Sequence, residues 1–243
     1  RRRAPTRRSA ARRRRRSGAG RPSWGGRESA ARLGGAIALA DAEGLEAVSL
    51  RAVAERAGLS LTAAQREAGS RDQLVSLMVH RVLARPRTPS TEAGEPVELL
   101  RRLAESEWSS YRAHPWLVDV LASTRPPLVP AVLDASRAAV EAFVALGLDT
   151  DTALTRYLAF SGYLQGMALL LATEERESSR SGTSLRAWWA EEARRLDRTG
   201  ALRRNPWLDE LSTRPAADGF DVDAAFREGL DLVLRGLTPP VRP

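Results

Sequence analysis

The 243-residue chain contains no cysteine and no lysine, and it has only two histidines. Without cysteine there can be no disulfide, no cysteine-ligated zinc and no cysteine nucleophile. His80 and His114 lie far apart in the sequence, which argues against a histidine metal site or a histidine-dependent triad. Glycine-rich phosphate loops and the G-x-S-x-G motif are missing as well. These absences predict a protein that is not an enzyme and that has neither a metal site nor a cofactor.

Long apolar runs are also missing, so the sequence predicts no transmembrane helix. The arginine-rich start is not followed by the apolar stretch of a secretory signal, and we expect a cytoplasmic protein. Hydrophobic residues make up 43% of the chain, which is enough for a sizeable core.

Positive charge is concentrated at one end of the chain. The formal net charge is +8, and all 38 basic residues are arginines. Twelve of them lie in residues 1–27, which contain no acid, so the remainder carries 26 arginines against 30 acids, a balance of −4. Residues 1–26 hold little apolar area to offset the entropy of ordering, and we predict a disordered arm. The body that follows is mildly acidic.

Apolar residues recur at helical spacing from Arg27 onwards, and no strand-like alternation occurs. Gly44 ends a first helix, Ser49 and Ser60 are N-caps of two short helices, and Ser70 with Gln73 forms a capping box that opens a fourth. Further helices are predicted at 97–114, 116–123, 128–146, 149–177, 184–196 and 220–236, with a loop at 197–219. The pattern predicts an all-α fold.

Three stretches of the first half resemble the helix-turn-helix head of the tetracycline-repressor (TetR/AcrR) family of transcriptional regulators. They are ALADAEGLEAVSLR at 38–51, VAERAGLS at 53–60 and GSRDQL at 69–74. Residues 124–126 (TRP), 147–148, 153–154, 162–163 and 166, with FDVDAAFREGLDL at 220–232, resemble the ligand domain of the tetracycline-repressor branch. The resemblance covers about residues 27–238.

This resemblance implies a domain organisation and a mode of action. Residues 27–73 are expected to form a three-helix DNA-binding head, 70–84 a connecting fourth helix, and 90–243 an α-helical domain for ligand binding and dimerisation. A homodimer would bind a palindromic operator in double-stranded DNA. A small-molecule effector would then release this repressor from the DNA.

The second helix of a helix-turn-helix reads base edges in the major groove, and the helix starts contact phosphates. Gln pairs well with adenine and Arg with guanine. The resemblance implies DNA contact by Arg51 and phosphate contact by Arg71. The predicted DNA-binding residues are Ser49, Arg51, Ser60, Leu61, Thr62, Ala63, Gln65, Arg66, Ser70 and Arg71.

The recognition helix departs from the family pattern at four positions: Ala64, Gln65, Glu67 and Ala68. Because Ala64 and Ala68 are small, we expect weaker anchoring of this helix, and we expect Glu67 to place a negative charge near phosphates. The alternative is therefore a dimeric small-molecule-binding or interaction protein with a decayed recognition helix and a nonspecific nucleic-acid-binding arm.

Three interpretations of the arginine arm stay open. It can follow phosphates or enter the minor groove beside the head. It can also be a nonspecific tether, or upstream sequence translated from a misplaced start.

Two features of the body predict a dimer interface. Gly162 and Gly166 interrupt a long helix at a cost of about 1 kcal/mol each relative to Ala, which indicates close approach of another helix. The last helix has a wide apolar stripe that needs a partner. We predict an interface of Gly162, Gly166, Phe226, Leu230, Val233, Leu234 and Leu237, with an intrachain core as the alternative.

Aromatic residues mixed with a few polar groups suit an apolar or aromatic effector. The resemblance places ten such residues on the helices that enclose the family's pocket: Trp108, Tyr111, Arg112, His114, Trp116, Arg125, Phe143, Tyr157, Gln165 and Met167. For any one of them, core packing is the alternative. Leu121 matches the position of the repressor's metal-ligating histidine, so a tetracycline–magnesium complex is not expected.

Overall fold

The structure is a computed structural model that describes residues 27–84, 95–208 and 221–239. These residues contain no strand, which confirms the predicted all-α fold, and none of their helices is long and apolar enough to cross a bilayer. The predicted arm at 1–26 lies outside them. The helices are α1 (Arg27–Glu43), α2 (Leu50–Arg56), α3 (Leu61–Ala68), α4 (Arg71–Leu83), α5 (Pro96–Ala113), α6 (Trp116–Leu121), α7 (Pro130–Ala145), α8 (Thr150–Ser181), α9 (Leu185–Arg198), α10 (Ala201–Arg204) and α11 (Val222–Leu237).

Serine caps start the three short helices of the head, as predicted. The hydroxyls of Ser49, Ser60 and Ser70 accept hydrogen bonds from the backbone N–H three residues later, at 3.1 to 3.2 Å. Gln73 Oε1 in turn accepts from the Ser70 backbone N–H at 2.8 Å, which completes the capping box. Each cap contributes about 1 kcal/mol, so local sequence fixes where these helices begin.

The 32-residue helix α8 is the central element of the body. It packs against α5, α6, α7 and α11, and the contact buries aromatic rings. Phe226 of α11 stacks on Trp108 of α5 with 4.3 Å between ring centroids, and Phe143 meets Phe160 edge to face at 6.3 Å. The head joins this body through α4, which contacts α5 and α7.

Helix α11 approaches α8 most closely at Gly229. A Cβ at this position would lie 2.3 Å from the Tyr163 hydroxyl, which donates to the Phe226 carbonyl at 2.7 Å. A larger residue at 229 would therefore displace the Tyr163 side chain or push the two helices apart.

The helix boundaries differ from the predicted ones by a few residues, and one predicted loop contains a helix. Helix α8 extends to Ser181 because its C-terminal glycine, Gly182, adopts φ 67°. Residues 201–204, predicted as part of the loop at 197–219, form α10 after Gly200 at φ 68°. Residues 209–219 of that loop lie outside the described residues.

Candidate nucleic-acid interface and effector region

Helix α3 has one buried face and one exposed face. Ala64 and Ala68 are buried against the head, with 4% and 3% exposed. Thr62, Gln65 and Arg66 are exposed, Leu61 is 45% exposed, and Ala63 is half-buried. The residues predicted to read DNA are therefore presented together on the outer side of the helix. The weaker anchoring expected from two alanines stays a prediction, although both methyl groups are buried.

The starts of α2, α3 and α4 present backbone N–H groups beside Ser49, Ser60 and Ser70. A helix N-terminus carries partial positive charge and favours an anion. Arg51 extends from the first turn of α2, is exposed, and pairs only loosely with Glu55 at 3.3 Å. These positions can contact phosphates without disturbing buried structure.

Arg71 is occupied inside the head. Its Nε donates to the Val48 carbonyl at 2.8 Å, and its Nη2 donates to the Leu45 carbonyl at 2.9 Å. The guanidinium therefore ties the start of α4 to the 3-10 turn Leu45–Ala47 that precedes α2. The phosphate contact expected of Arg71 stays a prediction, and the structure adds this intramolecular role.

Glu67 is paired within the head, and its expected effect on phosphates stays a prediction. Its Oε1 accepts from Arg32 Nη1 of α1 at 2.6 Å, in a half-buried ion pair, while its Oε2 is buried without a partner. Arg32 therefore neutralises the charge that was expected to repel phosphate, and the pair ties α3 to α1.

Four of the predicted effector residues fill the core or its edge. Trp108, Tyr111 and Phe143 are buried, and Arg112 is exposed beside them. Trp108 Nε1 donates to Asp223 at 2.7 Å, and Arg112 pairs with the same carboxylate. These contacts hold α11 on α5, and effector binding by the four residues stays a prediction.

The Tyr111 hydroxyl donates to Glu107 at 2.8 Å. Burial, followed by the charge of Glu107 and this hydrogen bond, raises the pKa of Tyr111 far above its usual range. The phenol is therefore held neutral.

The other six predicted effector residues lie at the contact between head and body, on α8, and in an exposed loop. His114 and Trp116 lie where the body meets the head, and both donate to Asp41 of α1. Tyr157, Gln165 and Met167 are half-buried on α8. Tyr157 shares a 2.7 Å hydrogen bond with Ser136, and Gln165 donates to Ser161 at 3.1 Å. Arg125 is exposed between α6 and α7.

The structure corrects part of the predicted dimer interface. Phe226, Leu230 and Leu234 are buried within the single chain, with 1% to 2% exposed, because α11 turns them onto α5 and α8. Val233 and Leu237 are half-buried. Gly162 and Gly166 are exposed, and a methyl group added to either glycine would meet no neighbouring atom within 4 Å. The exposed apolar residue of α11 is instead Leu232.

Sequence reasoning missed three residues whose hydrogen bonds join distant segments, namely the donor Arg32 and the acceptors Asp41 and Asp223. Their partners lie 35, 73 to 75 and 111 to 115 positions away. No local pattern marks such pairs.

A capped helix-turn-helix with an exposed recognition helix, joined to an all-α body, defines a DNA-binding regulator. The model of the family "Tetracyclin repressor-like, C-terminal domain" matches residues 88–240. The chain belongs to this tetracycline-repressor family of transcriptional regulators.

Individual relatives agree with this assignment. The transcriptional repressor DrrR1 of Streptomyces coeruleorubidus is 29% identical over 204 residues, covering 83% of this chain and 74% of the relative. ActR of Streptomyces coelicolor in complex with actinorhodin superposes with a TM-score of 0.67 at 23% identity, covering 86% of this chain and 93% of ActR. TetR of Acinetobacter baumannii gives 0.58 at 20% identity, covering 85% and 94%.

Proposed function

We propose that the protein is a homodimeric repressor that binds a palindromic operator through α3 and leaves it when a small aromatic effector binds the body. The carrying observation is the exposed row of Thr62, Gln65 and Arg66 on a helix whose other face is anchored in the head. Such a helix can enter a major groove and reach base edges. The DrrR1 repressor supports the negative sense of the regulation.

The dimer interface proposed here centres on the exposed face of α8. Leu154, Leu158, Gly162, Gly166 and Leu170 follow one another at intervals of four residues, and all are exposed. Successive residues at this spacing are neighbours on the helix surface, so together they form a ridge that winds along α8. Because the two glycines have open space in front of them, a helix from a second copy can pack closely there. Leu232 and Gly236 extend this surface onto α11.

The effector proposed here is a planar, largely apolar molecule held between α8 and its neighbours. Tyr157, Gln165 and Met167 supply half-buried aromatic, amide and thioether groups. ActR, which has this fold, is solved with actinorhodin. Leu121 is buried and has no donor atom for a metal, so we propose an effector that needs no magnesium.

Footprinting on the DNA beside the protein's own gene tests the operator, and a protected palindrome is the expected result. Gln65→Ala and Arg66→Ala should each weaken binding by roughly 10-fold to 100-fold and relax base preference, since a bidentate contact is worth about 1–3 kcal/mol. Arg186→Ala on α9 is the control, because Arg186 is exposed and distant from the head in sequence. Smeared, salt-labile protection would instead favour the nonspecific alternative.

The contribution of the arginine arm is testable by deleting residues 1–22. Each phosphate that the arm neutralises adds about −0.9 to the slope of log K against log salt. If the arm contacts DNA, the deletion reduces both the affinity and this slope in fluorescence anisotropy. Unchanged values would leave the arm without a role in binding.

Actinorhodin is the probe for the effector class, with tetracycline plus magnesium as the contrast. We expect actinorhodin to release the protected DNA and the magnesium complex to have no effect. Release by the magnesium complex alone would contradict the proposed effector chemistry.

A further inference from the structure

Asp41, in the last turn of α1, receives two hydrogen bonds from the body on a single oxygen. Its Oδ1 accepts from Trp116 Nε1 at 2.7 Å and from His114 Nδ1 at 2.8 Å. A carboxylate can only accept, so both rings donate. The head and the body therefore meet at a charged acceptor with two ring donors.

The two donors are held rigidly by the body. Trp116 is buried at 2% exposure and begins α6, while His114 ends α5, with Pro115 between them. The Leu117 backbone N–H donates to the His114 carbonyl at 3.0 Å, which tightens this corner. Burial restrains the Trp116 indole, and the tightened corner restrains the backbone that carries both rings.

Asp41 is well placed to set the angle between head and body, and not only to strengthen the contact between them. Its side chain is 31% exposed and that of His114 is 24% exposed, so solvent screens the contact only in part. Hydrogen bonds to a charged group are stronger than neutral ones and require defined geometry. Elsewhere among the described residues, the head–body hydrogen bond that is seen is a longer one, from the Ala131 N–H to His80 Nδ1 at 3.3 Å. Helix α4 also packs on α5 and α7, and this apolar packing is less directional.

We propose that Asp41 is a positioning residue that fixes the orientation of the DNA-binding head relative to the body. The DNA part of this inference rests on the proposed function, whereas the orientation can be measured without DNA. Removing the acceptor, or removing only the indole N–H, should let the head rotate about its α4 connection.

The absence of natural cysteine makes a direct measurement possible. Cysteines introduced at the exposed positions Ala38 of α1 and Ala135 of α7 carry one spin-label pair per subunit, and both positions lie outside the proposed dimer surface of α8. Labelled subunits are diluted with an excess of unlabelled protein, so that only distances within one subunit are recorded by pulsed dipolar spectroscopy. Thermal unfolding of each variant confirms that it is folded.

Two variants break the contact and two matched controls do not. Asp41→Ala removes the acceptor, and Trp116→Phe removes the donor while retaining an aromatic ring. Glu43→Ala removes the neighbouring α1 carboxylate, which pairs with Arg56 inside the head. Trp108→Phe removes the indole donor to Asp223 inside the body.

We expect a broader head–body distance distribution in Asp41→Ala and Trp116→Phe, and wild-type distributions in both controls. Binding to the DNA segment that the wild type protects should weaken by about 10-fold in the two test variants, as loss of one charged hydrogen bond predicts. Unchanged distributions in both test variants would overturn the proposal. Broad distributions with unchanged affinity would confirm the orienting role of Asp41 and overturn only its link to DNA binding. If the wild type protects no segment, the proposed operator fails while the distances still decide the role of Asp41.

Discussion

The head and the body of this protein are held together by different means. Residues 27–84 contain no phenylalanine, tyrosine or tryptophan, and their core consists of alanines and aliphatic side chains such as Leu39, Val48 and Met78. The body buries rings, including Trp108, Phe143 and Phe226. Hydrophobic stabilisation grows with the apolar area that is buried, and aromatic rings bury the most. Each helix of the body therefore gains more stability from burial than a helix of the head.

The head compensates with polar contacts of defined geometry. Three serine caps start α2, α3 and α4. The Arg71 contacts with two carbonyls join α4 to the 3-10 turn before α2, and the Arg32–Glu67 pair joins α1 to α3. Stability in the body therefore depends on the volume of its buried side chains. Stability in the head depends on individual hydrogen-bond donors and acceptors. Four experiments can break or sharpen this contrast.

The largest effect is expected for Phe226→Ala in the body. Phe226 lies between Trp108 and Tyr163, at centroid distances of 4.3 and 6.0 Å. Truncating a buried phenylalanine costs about 3–5 kcal/mol. Urea unfolding should show this loss, and Phe226→Leu should show a clearly smaller one. Equal losses for both variants would mean that volume is not what counts there.

Alkaline pH should destabilise the body selectively. The chain lacks lysine and cysteine, and its three tyrosines all lie in the body. Burial, with help from Glu107, raises the pKa of Tyr111, so the folded state keeps a phenol proton that the unfolded chain releases near pH 10. The contribution of Tyr111 to the free energy of unfolding is therefore fully present below about pH 10. Above that pH the free energy of unfolding falls by about 1.4 kcal/mol per pH unit.

Denaturant unfolding at successive pH values checks this. Tyr111→Phe should flatten the decline by about one proton, because the group that titrates is gone. The same slope in that variant would assign the alkaline sensitivity to another residue.

Arg71→Ala should cost the head about 2 kcal/mol, since it removes two charged-donor hydrogen bonds. Hydrogen exchange should accelerate in the 3-10 turn Leu45–Ala47 and in α2, where the carbonyl partners lie. Arg81→Ala is the control, because Arg81 is exposed on the same helix. Matching exchange in the two variants would deny Arg71 its structural role.

The smallest effect is expected at the Arg32–Glu67 pair, whose coupling should be about 1 kcal/mol in a double-mutant cycle. Arg32→Ala should destabilise more than Glu67→Ala, because it leaves a carboxylate with one buried oxygen unpaired. The more exposed Arg56–Glu43 pair is the comparison and should couple more weakly. The opposite order would refute the importance of burial here.

Sequence predicted the parts of this molecule that are decided locally. Ser49, Ser60, Ser70 and Gln73 mark helix starts because a cap and its N–H partner lie three residues apart. Apolar spacing predicted the helices of the body for a similar reason. The outward residues of α3 follow from the same periodicity.

Long-range pairs and the covered side of an apolar stripe could not be predicted in this way. Asp41 and Asp223 accept from indoles 75 and 115 positions away, so the sequence could not show that Trp116 and Trp108 join separate helices. The stripe of α11 was recognisable, but whether the same chain or a second copy covers Phe226 depends on how α11 is oriented. That orientation is a property of packing rather than of spacing.

The crossing of α8 and α11 at Gly229 has a consequence for the protein's relatives. The Tyr163 hydroxyl occupies the place that any larger side chain at 229 would take, and it also holds the Phe226 carbonyl. A larger side chain at 229 would displace the Tyr163 ring from the Phe226 carbonyl or push the two helices apart. Across homologous sequences, the residues at 163 and 229 should therefore co-vary, with bulk gained at one position matched by bulk lost at the other.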